Sequence, residues 1–360
     1  MVGEASKGCK VMLSAELKYW IECIDSYNLI EKSYGRHILI WGAYSKAGLL
    51  CDELERKDVK IAGYIDGHRN ISEYRGKAVY KPNSISLEKD YYILIAVEGV
   101  RKEIQDHLKR NNLRKDEDYF YFSEHSPNIV ISKLMGEYRD IYGNRFCYEG
   151  TGDADVKIHC IGGGNTVIIG DNFEGDGLDI NTSYGGTIKL GDNFVSHGDC
   201  LLDVSMSGII SIGKGVSIMK DSQIRAKYEG NVCIGDYLSG GERLHITSGR
   251  FSKVTVGDDC MFSHDVSILG TNSHSIIDLD RKENRASVKE KPVEIGNHVW
   301  LGKGSTVLYG TRINEGSVVG TQSLLKGDYP SNSVIVGNVA KVIRNNCTWD
   351  RRREIDFEEL

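Results

Sequence analysis

The stretch TNSHSIIDLD, residues 271–280, sets a histidine where a strict count in sixes breaks off. Val256, Phe262 and Ile268 lie six residues apart, and the next position in that count is His274. An imidazole is the side chain whose ordinary charge change falls near neutrality, so it can take up a proton and return it within one reaction. The aliphatic count resumes only at Ile295. Between them, SIIDLDRKENRASVKEKPVEI is polar and charged in the middle and reads as a loop projecting from a frame. Long loops at the edge of a rigid scaffold are frequent homes for binding chemistry.

The frame is legible in the repeats around it. An aliphatic-Gly-polar tripeptide recurs at Ile169, Leu190, Ile212, Ile234, Val256 and Ile295, the first five spaced 21 or 22 residues apart. Within these units the period is six: Ile212, Ile218 and Ile224 form one comb, and Ile295, Leu301, Val307, Ile313, Val319 and Leu325 the longest. Six fits neither the 3.6 period of a helix nor a plain two-residue alternation. It suits a parallel β-helix in which each flat face takes about six residues and three faces make a coil of about 18. A spacing of 22 is then a coil with a few residues bulging at a corner. The glycine after each inward residue is expected to ease the corner turn.

Before residue 150 the pattern differs. Leu13, Leu17, Trp20, Ile21 and Ile24 mark an amphipathic helix over residues 10–34. Apolar runs at His37–Trp41, Lys60–Ile65 and YYILIAV then alternate with helical segments, which predicts a small parallel sheet with helices on both faces. The turn GAYSKAG after the first run, from Gly42 to Gly48, with Asp66 some two dozen residues on, sits where a Rossmann-like fold holds a phosphate and a ribose. Tyr44 stands where a second glycine would let a pyrophosphate approach. A nucleotide pocket and a domain kept for packing both remain open. The expected division is a Rossmann-like α/β domain at 1–125, a connector at 126–150, the β-helix at 151–345 and a tail at 346–360 in which Arg351 to Arg353 flank a solvated segment.

Composition narrows the class. A formal net charge of −6 argues against a nucleic-acid partner. The nine cysteines form no C-x-x-C pair, which fits reduced thiols. There is no signal-like segment and no apolar run of about 20 residues, so the expectation is a soluble cytoplasmic protein without a membrane span.

Taken as a set, TNSHSIIDLD, KPVEIGNHVWLGKGSTV and VGNVAKVIRNN resemble the hexapeptide-repeat acyltransferases, and within them the sugar O-acetyltransferases, over most of residues 160–345. The resemblance implies a left-handed β-helix, usually trimeric, that uses acetyl-CoA and no metal. His274 matches the family's catalytic base. His264 and Asn272 then fall to the acceptor, and Trp300 to the acceptor or pantetheine channel. Gly302 and Thr321 line the pantetheine arm, while Lys341 and Arg344 meet the nucleotide phosphates. One departure is Val339, where the family commonly has proline. Ser273-His274-Ser275 is closer to polysaccharide-directed members than to small-sugar enzymes with Thr-His-Pro. The implied activity is acetyl transfer to a sugar hydroxyl of a bacterial capsule or O-antigen. An N-acetyltransferase of a nucleotide-linked amino sugar is the alternative. A β-helical zinc carbonic anhydrase needs H-x-x-x-x-H, which this chain lacks, and a non-catalytic scaffold would not need the histidine, tryptophan and lysine together. His197, His245 and His298 are expected as surface or hydrogen-bonded structural residues.

Overall fold

The computed structural model describes residues 15–33, 35–85, 90–97, 102–124, 127–140, 142–250, 252–272, 277–281, 283–284, 292–352 and 354. The chain divides into two compact units. One runs to Pro127 and includes Gly162–Gly164; the other takes Asn128–Ile161 and everything from Asn165 onward.

In the amino-terminal unit the expected long helix is two pieces, α1 (Ala15–Ser26) and α2 (Leu29–Lys32), because Asn28 between them is left-handed at φ 50°. Five strands follow in parallel register: β1 (His37–Trp41), β2 (Ile61–Ile65), β4 (Lys77–Tyr80), β5 (Tyr91–Ile95) and β6 (Tyr119–Tyr121). Glu73–Tyr74 (β3) pairs antiparallel with β4, giving the order β3-β4-β2-β1-β5-β6. Helix α3 (Ser45–Arg56) buries Ala47, Leu50, Cys51 and Leu54 against β1 and β2. Ile104 and Leu108 of α4 (Lys102–Arg110) join Leu39, Trp41, Ile93 and Ile95 in one apolar cluster.

The second unit is a parallel β-solenoid of three faces. Successive teeth of the comb fall on the three faces in rotation, and all are buried: Ile295, Leu301, Val307, Ile313, Val319 and Leu325 are each no more than 2% exposed. Call the face of Ile295 the first, that of Leu301 the second and that of Val307 the third. Ile295 pairs with Ile313 18 residues on, the bare coil, while Leu190, Ile212 and Ile234 pair at 22. The surplus lies at the corner between the third and first faces. Met206–Ser207 and Tyr228–Glu229 are consecutive left-handed pairs there, closed by Gly208 N–H to Ser205 O and Gly230 N–H to Lys227 O at 3.0 Å each. The chain leaves for the long loop at this same corner, after Ser267–Leu269 on the third face, and rejoins at Val293–Ile295 on the first. Within the loop, Ile277–Asp278 pairs antiparallel with Glu283–Asn284.

The aliphatic-Gly-polar repeat has a physical reason different from the one the sequence suggests. Gly170, Gly191, Gly213, Gly235, Gly257 and Gly296 do not have positive φ, so they are not turn formers. They are glycine because the next coil passes too close: a Cβ on Gly191 would lie 2.6 Å from the Gly213 carbonyl carbon and 2.7 Å from Lys214 N. The polar residue that follows links coils. Asp192 Oδ1 accepts from Asp171 N–H at 2.9 Å, Asp236 Oδ1 from Lys214 N–H at 2.9 Å, Asp258 Oδ1 from Asp236 N–H at 2.8 Å, and Asn297 Oδ1 from Asp258 N–H at 2.9 Å.

Residues 126–150, expected as a connector, belong to the solenoid. Asn128–Leu134 runs antiparallel along Ala154–Ile161 on the third face, and Glu137–Arg139 with Arg145–Tyr148 extend the first. These strands cover an edge that an unfinished solenoid would leave open to pairing with other chains. They carry no hexad because they cap the coils instead of winding with them. The far end is closed likewise by Ala340–Asn345, antiparallel to Ser333–Gly337.

Gly191→Ala should therefore lower the stability of the solenoid by about 1–3 kcal/mol, since the clash is with backbone that no rotamer can move. A denaturant midpoint equal to the parent's would show that the coils part freely at this position.

Candidate functional site

Parallel stacking turns positions one coil apart into columns, so the site can be read as lines along the prism. His264 sits exposed at the corner between the second and third faces. Its carbonyl accepts from Gly304 N–H at 2.9 Å, and Lys303 O from Gln322 N–H at 2.8 Å, which aligns His264, Gly302 and Thr321 on one edge. Gly302 lies flush against the next coil: a Cβ there would meet Val319 O at 2.6 Å and Thr321 N at 2.8 Å. His264 Nδ1 accepts the Glu242 N–H at 3.1 Å. With that lone pair used, the neutral ring carries its hydrogen on Nε2 and is a donor toward solvent, which suits holding a ligand oxygen better than removing a proton.

Trp300 is half-buried on the outer side of the second face, between Met261 and Val318 on the neighbouring strands. Its Nε1–H donates to Ser263 Oγ at 3.3 Å. Lys341 and Arg344 lie on the last strand of that face. Lys341 opposes Val336 and Arg344 opposes Val334, with a bulge in the register between them. The bulge turns both cations outward. Both are exposed, and neither makes an ion pair among the described residues. The hairpin tip before them contains the cis Asn338–Val339 peptide.

Asn272 stands apart from this group. It follows Ser267–Leu269 at the opposite edge of the third face, where the chain departs for the loop. His274 lies outside the described residues. Sequence reasoning thus named residues that the fold distributes over two edges of one prism, with the third face between them.

In the amino-terminal unit, Gly42 and Asp66 are brought together, and the carboxylate is already engaged. Asp66 Oδ2 accepts from Ala43 N–H at 3.0 Å, and Oδ1 accepts from His68 N–H at 2.9 Å and Arg69 N–H at 2.8 Å. Burial acts to raise its pKa, but the backbone donors of Arg69, Ala43 and His68 outweigh it and hold the carboxyl below its ordinary value. Tyr44 OH donates to Ala96 O at 2.7 Å, spanning the gap between the ends of β1 and β5. Gly48 is packed beneath the Arg75 side chain.

Two residues escaped the sequence reading. Arg351, expected in a solvated tail, donates to Asp259 Oδ1 at 2.9 Å and to Ser239 Oγ at 2.9 Å. Trp349, 7% exposed, stacks on His298 at 4.3 Å between ring centroids. A tryptophan amid charged residues was the available signal. His298 is structural, as expected: Nδ1 bonds Asp259 Oδ2 at 2.7 Å and Nε2 bonds Trp349 O at 2.9 Å. His245 bonds Thr247 Oγ1 at 2.9 Å, and His197 is exposed. Arg353 lies outside the described residues. Among the described residues, no disulfide joins the cysteines and no helix is long and apolar enough to cross a membrane.

Hexads wound into a three-faced solenoid define a hexapeptide-repeat protein. Comparison with known proteins agrees. WbbJ of Escherichia coli (strain K12), named for O-acetyl transfer in lipopolysaccharide biosynthesis, is 33% identical over 165 residues, covering 44% of this chain and 72% of WbbJ. The polysialic acid O-acetyltransferase of Escherichia coli O1:K1 / APEC is 29% identical over 140 residues, covering 38% of this chain and 45% of that protein. The crystal structure of the polySia specific acetyltransferase NeuO aligns at a TM-score of 0.43 and 26% identity, covering 60% of this chain and 82% of NeuO. Residues 34–117 match the family described as C2185-like, N-terminal. The chain belongs to the hexapeptide-repeat O-acetyltransferases and is an acyltransferase.

The Asp66 geometry yields a pH test. A carboxyl held below its unfolded value contributes stability that is present above that value and lost as pH falls through the folded one. Asp66→Ala should lower the thermal midpoint by roughly 5 °C near neutrality. Its difference from the parent should shrink below about pH 4. An equal difference at pH 3 and pH 7 would mean that the carboxylate does not hold this loop.

Proposed function

We propose that the protein transfers acetyl from acetyl-CoA to a sugar hydroxyl of a bacterial surface polysaccharide, capsule or O-antigen, with His274 as general base. The observation that supports this most is the gathering of Gly302, Thr321, Lys341 and Arg344 along one edge and its adjoining face, with both cations unpaired among the described residues. Such an edge suits an extended thioester donor: close-packed backbone for the pantetheine arm, then two cations for the phosphates. The solenoid is read as left-handed, as the family implies.

His274 takes the proton of the acceptor hydroxyl as its oxygen attacks the thioester carbonyl, and a backbone N–H steadies the tetrahedral oxyanion. The carbon–sulfur bond breaks, and the imidazolium returns the proton to the departing thiolate. His264 and Asn272 hold the acceptor. Because the donor edge and the edge carrying Asn272 flank one face, a neighbouring copy presenting the opposite edge would complete the site, and we take the working form to be a homotrimer. Acetyl-CoA places the reaction in the cytoplasm. The amino-terminal unit has the strand order of a Rossmann-like domain, but Asp66 is committed to its own loop. That favours packing over the nucleotide-linked amino sugar of the alternative N-acetylating reaction.

Thiol release from acetyl-CoA with a panel of glycans tests the reading. His274→Ala should lose about a hundredfold or more in turnover, the scale for removing a general base; near-parent turnover on the best acceptor would sink the assignment. Replacing Lys341 and Arg344 together by alanine should raise the KM for acetyl-CoA about tenfold with little change in kcat, since the phosphates are held equally in ground and transition states. An unchanged KM would put the nucleotide elsewhere.

A further inference from the structure

The segment that ends the described chain crosses three successive coils of the second face. Arg351 Nη1–H donates to Ser239 Oγ, and Nη2–H reaches Tyr237 O at 3.3 Å on the same coil. On the next coil, Nε–H and Nη2–H donate to Asp259 Oδ1 at 3.1 and 2.9 Å, and Nη2–H also reaches Cys260 O at 3.2 Å. The third coil is held by Trp349: its Nε1–H donates to His298 O at 2.8 Å while its carbonyl accepts from His298 Nε2 at 2.9 Å. Asp259 Oδ2 accepts from His298 Nδ1 at 2.7 Å. Both partners of the imidazole are acceptors, so in this arrangement it donates from both nitrogens. The Arg351 guanidinium also stands 5.5 Å from the Trp349 ring centroid, within cation–π range.

The ring so fixed lies against Trp300. The two indoles are tilted at 52° with centroids 6.3 Å apart, a separation at which aromatic pairs attract in inclined geometry. Trp300 has Ser263 Oγ as its hydrogen-bond partner on the solenoid, Met261 and Val318 as strand neighbours, and Trp349 on the side covered by the tail. Nothing covalent or periodic demands that residue 349 be there. The contacts carry it back over 51 residues to His298 and over 92 to Asp259.

We infer that Trp349 and Arg351 are positioning residues for Trp300, the tail acting as a clasp that sets the angle at which this indole meets the bound substrate. The inference rests on the reading of Trp300 as a wall of the acceptor or pantetheine channel. Removing the clasp leaves the chemistry at His274 intact and loosens the surface on which a substrate is laid.

The test uses the full chain and two readouts, one independent of turnover. Trp20 and Trp41 are buried in the other unit, at 1% and 5% exposure, so acrylamide quenching of tryptophan fluorescence reports chiefly on Trp300 and Trp349. Arg351→Ala keeps all four indoles and should raise the accessible fraction. Arg351→Lys should do the same, because an ammonium cannot span the carboxylate and the two carbonyls at once. In kinetics, Trp349→Ala should raise the KM of the substrate resting on Trp300 by about tenfold with kcat within about twofold, whereas Trp349→Phe, which keeps a ring against Trp300, should stay near the parent. Parent-like quenching in both Arg351 variants overturns the clasp. Increased quenching with parent KM values for both substrates in Trp349→Ala overturns the positioning role. A parent that transfers no acetyl group defeats the functional reading instead, and quenching alone then decides whether the tail fixes Trp300.

Discussion

Everything in the solenoid depends on how closely one coil lies on the next. Parallel pairing sets neighbouring strands about 4.8 Å apart, so any residue type repeated once per coil becomes a column, and its side chain is chosen by what the column allows. Inward columns are aliphatic because they form one continuous apolar axis. The glycine column exists because backbone passes where a Cβ would be. Beside it, aspartate and asparagine stitch each coil to its neighbour through main-chain N–H groups. A donor-binding edge can be drawn on such a frame with little adjustment, since Gly302 and Thr321 are fixed by the same pairing that holds the core.

Much of this was legible from the residues. A six-residue comb has no other economical solution, and its interruption at His274 singled out the one stretch where the chain abandons its frame. The bulge at 22-residue coils was also readable as a number, although its corner was not. Which residues share an edge depends on coil length and on the surplus at one corner, so the separation of Asn272 from His264, Gly302 and Thr321 required three dimensions. The capping strands at 128–148 were hidden because an antiparallel cap follows a two-residue alternation in place of the hexad.

Two misreadings have a common physical root. Asp66 and Arg351 were judged from local surroundings, one as a ribose ligand and the other as a solvated charge. Both turned out to spend their hydrogen-bonding capacity on the chain itself, Asp66 on three backbone N–H groups and Arg351 on partners up to 114 residues away. A sequence tells what a side chain can bind, but its partner is decided by folding. In the reading of the site these facts point in different directions. They remove a ligand role from the first unit and add a supporting role beside Trp300 in the second.

The corner between the third and first faces accepts either four surplus residues closed by a pair of left-handed residues, or an entire excursion with its own hairpin, while the strands on both sides stay in register. Sequence length is therefore nearly free there and nowhere else in the coil. An architecture of this kind separates what must be kept from what can be exchanged. Acceptor preference can drift through replacement of one cassette without disturbing the lattice of hydrogen bonds that carries the donor.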